Sequence, residues 1–390
     1  MNSWPKFSKA EAEKAKQILL SGKVNYWTGN EGKAFEQEFS KFTGTKYSIA
    51  VSNGSVALDL ALRSLKIKKG DEVIVTPRSF IASASCVSNI GANPIFADVD
   101  PISGNLTSST ISKKITKKTK AVICVHLGGF PCEMDEIMKL AKRNNISVIE
   151  DCSQAHGAYY KGKSVGSIGD IGTWSFCQDK IITTGGEGGM VTTNNKKLWQ
   201  IMWSYKDHGK NHHSVFKKSH RPGFRWLHDS FGTNFRMTEI QASIGRSQLR
   251  KLKAWNRLRN RNARIIHKVA KKFPSILDVP DVSVENIHAF YRVYINVKKE
   301  GLKEGWNRDK LIEEMNKNGV QAFSGSCSEI YLEKSFKNSP FFPKKRLSNA
   351  KKIGETSICF LAHPTLTISE MNLTSRKLFE IFSKAKKNNL

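Results

Sequence analysis

The chain is short of acid. It carries 34 Asp and Glu against 63 Lys and Arg, a formal charge of +29 at pH 7. An imbalance of that sign suits nucleic acid, an anionic membrane or small anionic substrates. The cations are nevertheless scattered in twos and threes instead of being gathered with aromatics into a stripe, and no nucleic-acid-binding motif is present. They read as a lysine-biased, solvated surface that attracts anions, and nucleic acid is not expected as a partner. Long apolar runs are missing too. Nothing approaches the roughly 20 residues needed to cross a bilayer, so no membrane span is expected. The opening MNSWPKFSKAEAEKAKQILLSG lacks the apolar segment and small-residue cleavage site of a secretory leader, and its KAEAEKAKQILL reads as a charged amphipathic helix. The seven cysteines, Cys86, Cys124, Cys132, Cys152, Cys177, Cys327 and Cys359, include no C-x-x-C pair. Their odd number and apolar settings point to free thiols in a reducing compartment, with the cytoplasm as the expected location. There is no internal repeat, and no low-complexity segment beyond the terminal KAKKNN.

What is present fits a globular protein of more than one core, since 390 residues exceed one ordinary domain. From about residue 46 to 195, the runs KYSIAVS, DEVIVTP, NPIFADVD, AVICVHL, ISVIED, GTWSF and GMVTTN read as strands separated by helical patterns. In EMDEIMKLAKRN, Met134, Ile137, Met138 and Ala141 recur at the spacing of one buried helix face. This order predicts an α/β fold with a mostly parallel sheet covered by helices, and ligands belong at the carboxyl ends of its strands. Beyond residue 195 comes a His-, Lys- and Gly-rich loop at 205–232, and then the helical stretch from MTEIQASIG to HKVAKKF. From about residue 275, AFYRVYINV and RDKLIEEMNKNG suggest a smaller α+β domain. The loop is long enough to be a lid or an intersubunit segment. Its His208 and His212 have helical metal-ligand spacing, but no acidic or cysteine partner follows at a matching interval. No metal is expected.

Three short stretches carry chemistry. In VSNGSVALDLAL a strand runs into Ser52-Asn53-Gly54-Ser55 and an apolar helix, so unpaired backbone N–H groups there favour a phosphate, although an ordinary Asn or Ser cap would look the same. In IEDCSQAHGA, Asp151 ends a buried strand, where it can pair with a cationic ring nitrogen or cap a helix. In SFCQDKIITTGGEGG, Ser175 ends a strand and Lys180 stands in the loop beyond, as a reactive amine or as one more surface charge. A phosphate cradle, an acid for a ring nitrogen and a lysine for an aldehyde are together the requirements of pyridoxal phosphate.

These stretches, with TPRSFIASASCVSNIGANPIFADVD, VHLGGFPCEMD, GTNFRMTEIQASIGRSQL, FSGSCSEIYLEKSF and LAHPTLT, follow the order and near the spacing of the DegT/StrS-type sugar aminotransferases. The resemblance runs from about residue 4 to 366. It implies a fold-type-I pyridoxal phosphate enzyme acting as a homodimer with shared active sites. The expected division is a large cofactor-binding α/β domain with an N-terminal helix over 1–255, then a linking helix and small C-terminal α+β domain over 256–390. By the same resemblance Lys180 bonds the cofactor's aldehyde carbon and Asp151 faces its ring nitrogen. Gln154 touches the phenolic oxygen, and Phe80 stacks on the ring. Ser175, the backbone N–H groups of Ser55 and Val56, and Asn234 from the other subunit hold the phosphate.

The implied reaction takes an amino group, from glutamate, to a keto-sugar. The usual acceptor in the family is a nucleotide-diphosphate-linked keto-deoxysugar destined for a surface polysaccharide or natural product. Some relatives have a histidine in place of the lysine and dehydrate their sugar; Lys180 favours transamination over a dehydratase or a non-catalytic regulator. Gly129-Phe130, where many relatives have another aromatic and Gln, and the long 205–232 loop leave free keto-octulosonates and keto-inositols open as acceptors.

Overall fold

Seven of the apolar runs become neighbours in one sheet. The computed structural model describes residues 3–387 except residues 221, 282, 338 and 340. In chain order the strands are β1 (Tyr47–Val51), β2 (Glu72–Val75), β3 (Asn93–Phe96), β4 (Thr119–Val125), β5 (Ser147–Asp151), the short hairpin pair β6 (Tyr159–Tyr160) and β7 (Lys163–Ser164), β8 (Ile171–Ser175) and β9 (Gly189–Thr193). The large sheet has the order β1-β9-β8-β5-β4-β2-β3. Pairs β2–β3, β2–β4, β4–β5 and β5–β8 are parallel, whereas β9 runs antiparallel to both β8 and β1. A parallel crossover needs a helix, but an antiparallel return does not. The glycine-rich segment after Lys180 therefore suffices to lead β8 back as β9.

The helices of this part of the chain are α1 (Lys9–Leu20), α2 (Glu31–Thr43), α3 (Gly54–Ser64), α4 (Ala82–Asn89), α5 (Ser108–Ser112), α6 (Met134–Asn144) and α7 (Lys196–Lys206). Interior strands such as TKAVICV are buried almost throughout, as strands covered on both faces must be. Helix α6 turns Met134, Ile137, Leu140 and Ala141 inward.

The 205–232 segment differs from the plain loop expected of it. It contains α8 (His212–Phe216), and isolated bridges pair Asp207 with Asn234 and Lys210 with His228. The reason is apolar contact: the His212 ring lies 4.9 Å from that of Trp199, 4.7 Å from Trp203 and 4.9 Å from Phe216. His212 is a packing residue of α7's aromatic face.

Next comes α9 (Glu239–Ala270), opened by a reciprocal cap between Thr238 and Gln241. Its first half sends Ala242 and Leu252 into a core with Phe35, Phe39 and Trp174, and its second half sends Ala263, Ile266 and Val269 into another. That second core lies under a four-stranded antiparallel sheet of β10 (Leu277–Asp278), β11 (Val293–Val297), β12 (Ala322–Phe323) and β13 (Ser357–Phe360), in the order β10-β11-β13-β12. Helix α10 (Arg308–Lys317) and the terminal helix Ile368–Ala385 complete it. Among the described residues, no helix is long and apolar enough to cross a membrane.

A buried hydrogen bond joins the end of β4 to β5. His126 Nε2 donates to Glu150 Oε2 at 3.0 Å, while His126 Nδ1 accepts the Cys132 N–H at 3.0 Å. Glu150 also accepts N–H groups from Gly166 at 2.9 Å, Ile168 at 2.8 Å and Gly169 at 2.7 Å. Burial alone would raise the Glu150 pKa, but the hydrogen bond from His126, with the Gly169 and Gly166 amides, holds it below the ordinary value. Cys152 brings a third potential metal ligand nearby, yet the ligand atoms of His126 and Glu150 are already occupied within the fold.

Candidate active site

The carboxyl ends of β1, β2, β4, β5 and β8 open on one cavity of about 1320 Å³, closed on its far side by residues of the smaller sheet and by Trp4. This is where an α/β sheet exposes the amides and side chains that follow its strands.

At the end of β1, α3 begins with Gly54 and Ser55. A Cβ on Gly54 would stand 2.6 Å from the Cβ of Ser175, so only glycine lets the start of this helix lie against the end of β8. The result places Ser55 and Ser175 in one concave wall, with backbone N–H groups and hydroxyls to offer an anion. The Val56 N–H is donated to Asn53 Oδ1 at 2.9 Å, the bond of an ordinary helix cap. Val56 is not among the residues that line the cavity.

Asp151 closes β5 and is 4% exposed. No helix follows it, so it caps none. Its Oδ2 accepts the Ser83 hydroxyl at 2.8 Å and its Oδ1 the Ser153 N–H at 3.1 Å. Ser83 lies 3.0 Å from the Ser79 hydroxyl, extending the relay toward Phe80. Phe80 itself lines the cavity with two thirds of its surface bare, a flat apolar face without a ring partner among the described residues. Gln154 Oε1 accepts the Gly128 N–H at 2.7 Å, which leaves its amide NH2 as the group free to donate, and the residue lines the cavity.

Lys180 enters the same cavity from the loop after β8. Its backbone is pinned at both ends: its N–H donates to Cys177 O at 3.1 Å and its carbonyl accepts the Trp4 indole N–H at 2.8 Å. The ammonium lies 5.1 Å from the Tyr291 ring centroid, and among the described residues no carboxylate comes within ion-pairing distance. An amine so placed is held by an aromatic face and left free to react. The glycines that follow divide their work. Gly185 and Gly186 adopt φ of +85° and +121°, whereas a Cβ on Gly188 or Gly189 would collide with Thr184 or with the Asn53 carbonyl.

Asn234 stands apart from its sequence-predicted companions. It is exposed, pairs with Asp207, and does not line the cavity of its own chain. Sequence reasoning also missed Ser79, Ser83, Trp4, Arg259, Tyr291, Arg292 and His363, all of which line the cavity. Only the hydroxyls of TPRSFIAS carried a usable signal, their spacing along one turn beside a strand end.

Amides and hydroxyls at the start of α3 and the end of β8, a buried carboxylate, a bare aromatic face, the Gln154 amide and an unpaired lysine fit pyridoxal phosphate. Comparison with known proteins agrees. Over 288 residues, 73% of this chain and 75% of the other, the chain is 43% identical to the GDP-perosamine synthase of Escherichia coli O157:H7. The crystal structure of an aminotransferase from Psychrobacter cryohalolentis matches with a TM-score of 0.97 and 53% identity, covering 98% of each chain. An E. coli GDP-4-keto-6-deoxy-D-mannose-3-dehydratase with bound hydrated PLP matches at a TM-score of 0.84 and 25% identity, covering 96% of this chain and 98% of that one. The model of the DegT/DnrJ/EryC1/StrS aminotransferase family matches residues 5–375, nearly the whole chain. The chain therefore belongs to the DegT/DnrJ/EryC1/StrS aminotransferase family and is a pyridoxal phosphate-dependent sugar aminotransferase.

Proposed function

We infer that the enzyme moves an amino group from glutamate to a nucleotide-diphosphate-linked keto-deoxysugar used for a surface polysaccharide or natural product. The observation that carries the reading is the convergence of Lys180 and Asp151 on one cavity beside the Ser55–Ser175 notch. Bound pyridoxal phosphate supplies a carbonyl carbon for amine exchange and a ring that withdraws electrons from it.

The protein's own groups do the rest. Ser55 and Ser175 bind the phosphate, and Phe80 covers one ring face. The Gln154 amide donates to the ring oxygen. Asp151, fixed by Ser83, holds a proton on the ring nitrogen, which keeps the ring electron-poor. Lys180 would hold the cofactor through its carbonyl carbon and, once the donor's amine has displaced it, would serve as the base that carries a proton from the donor's α-carbon to that cofactor carbon, on the other side of the shared nitrogen. The bed of Tyr291 and the glycines after it let the amine leave and return.

Two further parts belong to the same reading. The segment 205–232 presents Phe224, Trp226 and Phe231 at 77%, 84% and 99% exposure. So much bare aromatic surface on one segment suits burial against a second copy, and Asn234 at its end then serves the partner's phosphate site. Seven free thiols, five of them buried, accord with a cytoplasmic enzyme.

The acceptor is tested by screening nucleotide-linked and free keto-sugars against the amino-loaded enzyme, following return of the aldehyde absorbance. Turnover of a nucleotide-linked keto-deoxysugar in preference to keto-octulosonates and keto-inositols supports the reading; the reverse order overturns it.

A further inference from the structure

Arg259, in the middle of α9, is a large side chain in the wrong place for a structural arginine. It is 2% exposed, lines the cavity, and makes one long contact, from Nη1 to the Phe290 carbonyl at 3.5 Å. Its Nε and Nη2 have no hydrogen-bond partner among the described residues. A buried guanidinium without a counter-charge costs several kcal/mol, about 3–5 when a pair is broken, and folds do not keep one without use. Nε and Nη2 form one edge of the planar fork, the edge that meets both oxygens of a carboxylate at once.

The surroundings leave that charge unbalanced. Arg292, another cation of this wall, is already paired with Asp179 at 3.2 Å, and Asp179 also accepts the Tyr291 hydroxyl. The two buried histidines that sense Arg259 are held neutral. Burial, then Lys180 and Arg259, push His156 down to about 3, and burial followed by Arg259 pushes His363 down to about 4. Burial, then Arg292, lowers Arg259 itself only to about 9, so it stays charged at neutral pH. This wall thus carries Lys180 and Arg259 with no acid assigned to either.

Position selects the anion. Arg259 stacks 5.1 Å from the ring of Trp4, and the indole N–H of that Trp4 holds the Lys180 carbonyl. The fork and the backbone of Lys180 therefore flank one side chain, and both residues line the one cavity. An amino-acid donor has its carboxylate on the carbon that bears the transferred amine, so the anion must lie that close. The diphosphate of a nucleotide-linked sugar must instead trail from the reacting carbon toward the cavity mouth.

We propose that Arg259 is the carboxylate-binding residue for the amino donor. The proposal rests on the amino-acid donor inferred above, and it explains how one cavity serves two unlike substrates: the donor is read by a charge that a neutral keto-sugar ring leaves unused.

The test uses cofactor-loaded full-length enzyme, with L-glutamate followed in single turnover and glutarate as an unreactive carboxylate probe measured by calorimetry. R259Q should raise both the glutamate half-saturation concentration and the glutarate dissociation constant by roughly 10- to 100-fold, the loss of a two-pronged charged contact. Cofactor affinity, absorbance spectrum and melting temperature should stay near those of the starting protein. Should R259Q not fold, R259K keeps the charge and removes the fork, and an increase of about tenfold is expected. Unchanged saturation by both ligands in the folded variant overturns the proposal, as does a parallel fall in cofactor affinity, which marks a structural role. Pyrophosphate that binds tighter than glutarate and is lost in the variant reassigns the site to the sugar nucleotide and also overturns it. If the unmodified enzyme reacts with no amino acid, the donor reading fails, while the glutarate arm still decides whether Arg259 binds carboxylates.

Discussion

Ser83 Oγ donates to Asp151 Oδ2 across 2.8 Å, tying the first turn of α4 to the carboxyl end of β5. With the Ser153 amide on the other oxygen, the carboxylate cannot swing toward solvent. Asp151→Asn keeps the shape of this arrangement but cannot hold a proton on a ring nitrogen. We expect cofactor to be retained and the glutamate half-reaction to fall by about 100-fold or more. Ser83→Ala, a change in a positioning residue, should cost about tenfold and shift the pH dependence of the bound cofactor's absorbance. Near-unchanged single-turnover rates in Asp151→Asn would reduce Asp151 to a structural role.

Gly54 makes room for the notch. An alanine Cβ there meets the Ser175 Cβ at 2.6 Å, and relief requires the helix start or the strand end to move. Overpacking of this kind costs about 1–3 kcal/mol, enough to weaken cofactor binding by roughly tenfold or more. Absorbance titration of Gly54→Ala with pyridoxal phosphate reads it directly, and an unchanged dissociation constant would place the phosphate elsewhere.

The Glu150–His126 pair sits behind the site and governs acid stability. Because the Glu150 pKa is lower in the folded chain than its ordinary value of 4.5, its stabilisation is fully present above that value. It is lost as pH falls through the depressed folded value. Glu150→Gln should lower stability at neutral pH by about 1–3 kcal/mol, since an amide cannot accept all the hydrogen bonds that the carboxylate does, and should flatten the acid limb. Urea unfolding at pH 7 and below pH 4.5 separates the two effects; an unchanged acid limb would mean that other carboxylates control acid unfolding.

The large sheet was legible because its strands are short β-branched runs buried on both faces, a pattern that survives without tertiary information. GMVTTN gave no sign of running against its neighbours, since direction depends on pairing and periodicity does not report it. Lys180, Asp151, Ser55 and Ser175 were found together because each ends or follows a strand, and strand ends share one edge; Gln154 and Phe80 came only from the family resemblance. Arg259, Tyr291 and His363 come from the long helix and the smaller sheet, more than 75 residues beyond Lys180, and only folding brings them to the cavity. In a chain so rich in Lys and Arg, nothing local distinguished Arg259 from the arginines around it. His126 and Glu150 were hidden for the opposite reason: each stands in an apolar run whose pattern says only that it is buried.

Asn234 is exposed just beyond the aromatic-rich 205–232 segment and does not line its own chain's cavity. If it completes the phosphate site of a second copy, defects in Lys180 and Asn234 lie in different active sites of one mixed dimer. Lys180→Ala and an inactivating Asn234 variant, each inactive alone, are therefore mixed under conditions that exchange subunits. In the mixed dimer one site inherits both defects and the other neither. With random exchange and independent sites, about half the dimers are mixed and half of their sites intact, so roughly a quarter of the unmodified activity should return. Mass measurement establishes that exchange has occurred. Activity that stays at the level of the separate variants after confirmed exchange would mean that Asn234 serves no opposite site, and the aromatic face of 205–232 would then need another partner.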